Sequence, residues 1–183
     1  MRRSGDQTKA AILSAARERF AADGYERATI RSIAADAATD PALVMRHFGN
    51  KEKLFAAAAD FDLHLPDLST LPRDKLGAAL VDHFLRRWEE DDTLQALLRA
   101  AVTNEAAAER MRQIFTSQLA VAAKGLADDA EVRASLVASQ TLGLGLCRYV
   151  LKLGPVAEMR RAAVVAWLAP TIERYLTAPD PTA

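Results

Sequence analysis

Two helix starts placed close together constrain this chain more than any feature of its composition. In the stretch 29–51, TIRSIAADAATDPALVMRHFGNK, Thr29 can cap a helix whose apolar stripe is Ile30, Ile33 and Ala34. Asp40 then occupies a second N-cap position, with Pro41 at the first helical residue, where a missing N–H costs nothing. Val44 and Phe48, four apart, bury one face of this second helix and leave Ala42, Leu43, Met45, Arg46 and His47 outside. Asn50 caps a third helix that begins at Lys51. Two short helices joined by a tight turn, the second presenting short and basic side chains, are the parts of a DNA-reading helix-turn-helix.

The surrounding residues extend that reading. From Thr8 to Asp23, Ile12, Leu13, Ala16 and Phe20 recur at helical spacing, and Gly24 stands at the expected C′ position. The run from Thr8 to Phe55 resembles the N-terminal domain of the TetR (tetracycline repressor-like) transcriptional regulators. The features that carry the resemblance are the helix ending in Phe20, the Asp23-Gly24-Tyr25 corner, the Thr-x-Arg-x-Ile-Ala run at Thr29 to Ala34, and Arg46-His47-Phe48-Gly49-Asn50-Lys51-Glu52. The remainder, to Ala183, is similar only in helix pattern. Two positions depart from the family. Met45 stands where an aromatic residue, usually Tyr, contacts the DNA backbone, and Ala38 occupies a turn position where Gly is usual.

The resemblance implies an all-α fold of about nine helices, a three-helix DNA-binding head on a helical bundle that dimerises through its last two helices. The domains are expected at 1–55, for DNA binding, and 56–183, for ligand binding and dimerisation. The implied function is ligand-responsive transcriptional regulation, with repression from a palindromic double-stranded DNA operator. The alternative is a helical dimer that senses a small molecule without useful DNA affinity.

Composition agrees with an all-α globular chain. Half of the 183 residues are hydrophobic and Gly plus Pro is only fifteen. The formal net charge is zero, but residues 1–55 hold ten Lys or Arg against seven Asp or Glu, a balance of +3, and residues 56–183 the opposite. A basic head on an acidic body suits contact with DNA at one end. The single cysteine, Cys147, cannot form an internal disulfide. Met1-Arg2-Arg3 leads into polar residues with no apolar h-region, and no apolar run approaches the roughly 20 residues of a membrane helix, so a cytoplasmic chain is expected.

The body reads as further helices. A fourth runs from Lys51 to about His64 through Leu54, Phe55, Ala58 and Phe61, followed by a loop to Pro72. The fifth spans about Arg73 to Glu90, the sixth carries Leu94, Leu97, Leu98, Ala101 and Val102, and the seventh starts after Asn104 and runs through Met111, Phe115 and Leu119 to Leu126. From Val132 to Leu153 the apolar residues go all the way round, so this helix is expected to be buried on more than one side. Gly143 and Gly145 within it imply close packing against another backbone. The last helix runs from Val156 to Ala178 and should kink at Pro170.

The candidate site residues follow. For DNA they are Thr29, Arg31, Pro41, Ala42, Leu43, Met45, Arg46, His47 and Lys51. Arg46 can meet the two acceptors of guanine in the major groove. Thr29, His47 and Lys51 suit phosphates, and Arg31 reads either as a base or phosphate contact or as a solvated helix arginine. A ligand pocket is expected from Phe84, Trp88, Leu98, Met111, Phe115 and Gln140, although each taken singly reads first as plain core. A dimer interface is expected from Gly143, Leu146, Val150, Val164, Trp167 and Leu168. There is no Gly-rich phosphate loop, Cys/His cluster or paired carboxylate in an apolar setting, so no catalytic residue, metal site or cofactor is assigned and no enzyme is expected. The acidic turn Glu89 to Asp92 lacks the residues to complete a coordination sphere.

Overall fold

The computed structural model of the chain describes residues 5–59, 62–90, 92–124 and 129–179, and all regular elements among them are helical. Ten α-helices occur there, one more than the sequence pattern implies. They form two compact units, Met1–Phe61 with Asp92–Met111, and Asp62–Asp91 with Arg112–Ala183. The first unit therefore extends beyond the 1–55 segment and takes in a later stretch of chain.

In the first unit α1 (Gly5–Arg27) is broken at Gly24, whose φ of 77° and ψ of 168° no helix can hold. The break exposes carbonyls that would otherwise be bonded within the helix, and Arg27 Nε donates to Asp23 O at 2.9 Å in compensation. Turning at Gly24 brings Tyr25 back beside Phe20, with ring centroids 6.0 Å apart, and Phe55 meets both edge-on at 4.9 and 5.0 Å. That aromatic corner packs α4 (Lys51–Ala58) on α1. The fourth helix is shorter than the apolar spacing implies: it ends at Ala58, Leu63 is buried outside it, and His64 has a φ of +49°. Phe61, expected on that helix, lies outside the described residues.

The helix end at Ala58 is held by side chains. Arg17 Nε donates to Ala58 O at 3.0 Å, and Arg110 Nε to Ala59 O at 3.4 Å. Cations at a helix C-terminus meet both its orphan carbonyls and its dipole. Arg110 belongs to α7 (Glu105–Ala123), capped as expected by Asn104, whose Oδ1 accepts from the Ala107 N–H at 2.9 Å. Preceding it, α6 (Asp92–Ala101) packs on α1 and buries Leu94, Leu97 and Leu98, whereas Val102 is exposed in the turn after it. Leu126, expected on the seventh helix, lies outside the described residues.

In the second unit α5 (Leu76–Glu90) follows a 3-10 turn at Arg73–Lys75 and crosses α10 (Arg161–Thr177) at close range. Gly77 permits the approach, since a Cβ there would overlap the carbonyl oxygen of Ala169 and the backbone of Glu173. Pro170, beside that crossing, lies inside α10, which continues through it. The expected helix Val132 to Leu153 is α8 (Ala130–Gly145) followed by a π-helical turn at Leu146–Val150. The expected helix Val156 to Ala178 divides into α9 (Gly154–Glu158) and α10, because Met159 and Arg160 are extended. Arg148 spans this break, donating from Nη1 to Val156 O and Met159 O, both at 2.7 Å.

Gly145 is close-packed as expected, but against a side chain: its Cβ would fall 2.5 Å from Cζ2 of Trp88. At Gly143 an added Cβ would meet nothing within 4 Å. The strand of chain entering the second unit is held at Asp62 and Leu63. Gln118 Oε1 accepts from Leu63 N at 2.7 Å, His83 Nε2 lies 2.6 Å from Leu63 O, and Arg87 donates to Asp62 O at 3.1 Å. A carbonyl only accepts, so Nε2 is the protonated nitrogen of His83, and burial lowers that ring's pKa and keeps it neutral. Gly77→Ala is expected to destabilise the protein by about 1–3 kcal/mol, because backbone and not a flexible side chain blocks the new methyl group. A urea titration reads this out. An unchanged or raised midpoint would mean that α5 and α10 do not meet as closely as described.

Candidate nucleic-acid interface

Three capped helix starts place the reading residues. Thr29 precedes α2 (Ile30–Asp36): its Oγ1 accepts from Ser32 N at 3.0 Å, and the Ser32 hydroxyl accepts from Thr29 N at 3.1 Å. This is a reciprocal capping box with Ser in the place usually held by Glu or Gln. Asp40 caps α3 (Pro41–Phe48) by accepting from Ala42 N at 2.7 Å, and Asn50 caps α4 by accepting from Lys53 N at 2.8 Å. Each cap fixes the direction in which its helix leaves the turn.

The α2–α3 pair is locked to α1 from two sides. Ile33, Ala34 and Val44 are fully buried, with Phe48 beside them. On the other side Arg19 meets the Asp36 carboxylate through Nε at 2.8 Å and Nη2 at 2.7 Å, and reaches Asp23 at 3.2 Å. The bidentate fork fixes both position and angle of α2. Between α2 and α3, Ala38 adopts φ +50°, in the left-handed region that favours Gly.

The sequence-derived reading residues share this head. Thr29, Arg31, Ala42, Met45 and Arg46 are exposed, and Pro41, Leu43 and His47 are half-buried. The His47 ring sits 6.2 Å from that of Phe48. Lys51, expected to serve a phosphate, has contacts within the head itself. Its Nζ donates to Glu26 O at 3.1 Å and stands 4.4 Å from the centroid of the Tyr25 ring. The ammonium thus braces the Gly24 corner, where burial raises the Tyr25 pKa and the Glu52 carboxylate adds to the effect. Sequence spacing gave no sign of this pairing, since 25 residues separate Lys51 from Glu26.

The other candidate residues scatter. Leu98 and Met111 are buried in the first unit, while Phe84, Trp88, Phe115 and Gln140 belong to the second. Phe84 stacks on Phe115 at 6.0 Å, and Trp88 stacks on Tyr149 at 5.9 Å beside Gly145. Phe84, Trp88 and Phe115 are core residues. Gln140 instead opens onto a groove of about 460 Å³ that also touches Gly143, Cys147, Trp167 and Leu168. Of the expected interface residues, Trp167 is 79% exposed and Gly143 is exposed, and Leu146, Val150 and Leu168 are half-buried. Val164 is only 3% exposed and lies at the floor of the same groove. Glu89, from the acidic turn, is engaged by Arg161 and by the Tyr149 hydroxyl at 3.0 Å. Burial, helped by that carboxylate and opposed by Arg148, pushes the Tyr149 pKa up to about 12.

Comparison with known proteins gives the same assignment. Residues 12–58 match the family described as bacterial regulatory proteins, tetR family, and residues 74–176 match the tetracyclin repressor-like C-terminal domain. The chain belongs to the TetR family. A TetR-family regulator from Streptomyces coelicolor is 30% identical over 96% of this chain and 98% of its own, with a TM-score of 0.68. A helix-turn-helix transcriptional repressor of Mycobacterium tuberculosis is 37% identical over 83 residues, 45% of this chain. The repressor AcnR of Corynebacterium efficiens is 45% identical over 51 residues. The matches span only 43% and 27% of the length of these two curated relatives.

Replacing Ala38 by Gly should remove left-handed strain of about 1–2 kcal/mol, offset by a smaller entropic loss from the unfolded chain. The expected net is a rise of about 1–3 °C in melting temperature. A calorimetric scan showing a fall instead would place Ala38 outside the left-handed region.

Proposed function

We propose that the protein is a cytoplasmic, ligand-responsive transcriptional repressor that binds a palindromic operator as a homodimer. The observation that carries this reading is the outward face of α3. Arg46 projects there from a helix fixed by the Asp40 cap and by the buried Val44 and Phe48, and no partner is recorded for its guanidinium among the described residues. Arg31 on α2 is exposed in the same way and suits a phosphate or a base edge. The relatives named as repressors support repression as the outcome of binding.

The twofold partner is assigned to the face of α8 and α10 that carries Gly143, Leu168 and the exposed Trp167. An indole left in water on an apolar groove is what a second copy would cover. Regulation is assigned to the end of α4. Its last carbonyls are held by Arg17 and by Arg110, and Arg110 lies on α7, a helix that contributes residues to both units. A small molecule that displaces α7 shifts the Arg110 grip on Ala59, and with it the angle of α4 below the reading pair.

Arg46→Ala is expected to cost about 1–3 kcal/mol in operator affinity and to relax preference at one base pair of each half-site. Fluorescence anisotropy with duplexes selected by the wild-type protein reads both effects. Unchanged affinity and selectivity would remove α3 from the groove, and a wild-type chain that selects no duplex would leave a small-molecule-binding dimer. Gly143→Leu should yield monomer or aggregate in sedimentation. A wild-type chain that sediments as a monomer at micromolar concentration would remove the twofold partner.

A further inference from the structure

The outward face of α3 carries the Arg46 guanidinium among hydrocarbons, with the half-buried His47 imidazole towards its edge. Successive residues lie about 100° apart around a helix, so Val44 and Phe48 mark the buried side and Ala42 and Arg46 lie together near the opposite pole. Met45 and Leu43 flank that pair, and Met45, at 44% exposure, is the most exposed large apolar side chain of the three reading helices. Ala42 and Met45, three apart, are neighbours on the surface. None of residues 41–48 is Asn, Gln, Asp or Glu. The face therefore has no amide to pair with adenine and no carboxylate to accept from the amino group of cytosine. The nearest carboxylate, Asp40, already accepts from the Ala42 N–H. What hydrocarbon reads in a major groove is the C5-methyl of thymine.

Resting on the DNA-binding reading above, we propose that Met45 is a specificity-determining residue that packs, with Ala42, on a thymine methyl group in each half-site, beside the base read by Arg46. The thioether is long, unbranched and polarisable, and it covers a methyl group without needing a fixed angle. The half-site is thymine-bearing next to a single guanine.

The test uses the full chain and changes single atoms of the DNA. Duplexes are selected from a pool with a randomised centre, and the selected duplex is remade with uracil in place of thymine, one symmetric pair of positions at a time. Uracil pairs as thymine does and lacks only the methyl group. At one position the replacement should weaken wild-type binding by about fourfold per half-site. Met45→Ala should bind the thymine and uracil duplexes alike, and Arg46→Ala should retain the difference between them. Selective binding with no uracil effect at any position overturns the assignment of Met45 and leaves DNA reading intact. So does an undiminished uracil effect in Met45→Ala. Selection of no sequence at all removes the DNA-binding reading, and this inference with it.

Discussion

The reading helices depend on a corner of three aromatic rings. Gly24 breaks α1, and the chain it turns back packs Tyr25 against both Phe20 and Phe55, with the Lys51 ammonium over the Tyr25 ring. Apolar area supplies the adhesion here, while edge-to-face geometry restricts the angle between α1 and α4. Everything between Tyr25 and Lys51 is then a loop of fixed span into which α2 and α3 must fit. The Arg19–Asp36 fork sets one end of that loop and the buried Val44 the other. Adhesion, angle and span together leave α3 one position, which base readout requires.

Much of this head was legible in the sequence, because its determinants are local. Thr29, Asp40-Pro41 and Asn50 announce helix starts through interactions two or three residues long, and all three caps are formed. The second unit was legible as helices and less so as boundaries. Apolar spacing continues past Ala58, and again from Val156 into α10, so periodicity alone joins what the backbone divides. Extended φ and ψ at Met159 and Arg160 leave no mark in the apolar pattern, and Arg148, the side chain that stabilises the break, precedes Met159 by eleven residues.

The site residues divide along the same line. The exposure of Arg46 and Met45 was readable because helical phase sets Arg46 opposite the buried Val44 and Met45 beside that face. The contacts that Lys51 makes with Tyr25 and Glu26 were not readable, because both are remote in sequence. The expected pocket grouped large apolar residues by size, yet Phe84 and Phe115 stack on each other and Leu98 lies in the other unit. Gly77, which sets the tightest helix crossing of the second unit, carried no signal, since nothing local distinguishes it from Gly143.

The discontinuity of the first unit has a consequence for how the chain matures. Leu94 and Leu97 of α6 are fully buried in that unit, and Arg110 bonds to the end of α4, yet α5 intervenes in sequence. During synthesis the first four helices leave the ribosome without the surface that covers α1. They must wait for residues up to Met111, through the emergence of the whole of α5, before that core closes. A truncation after α4 would keep every reading residue and lose α6, exposing apolar surface on α1. The DNA-reading head is thus finished late, although its sequence comes first.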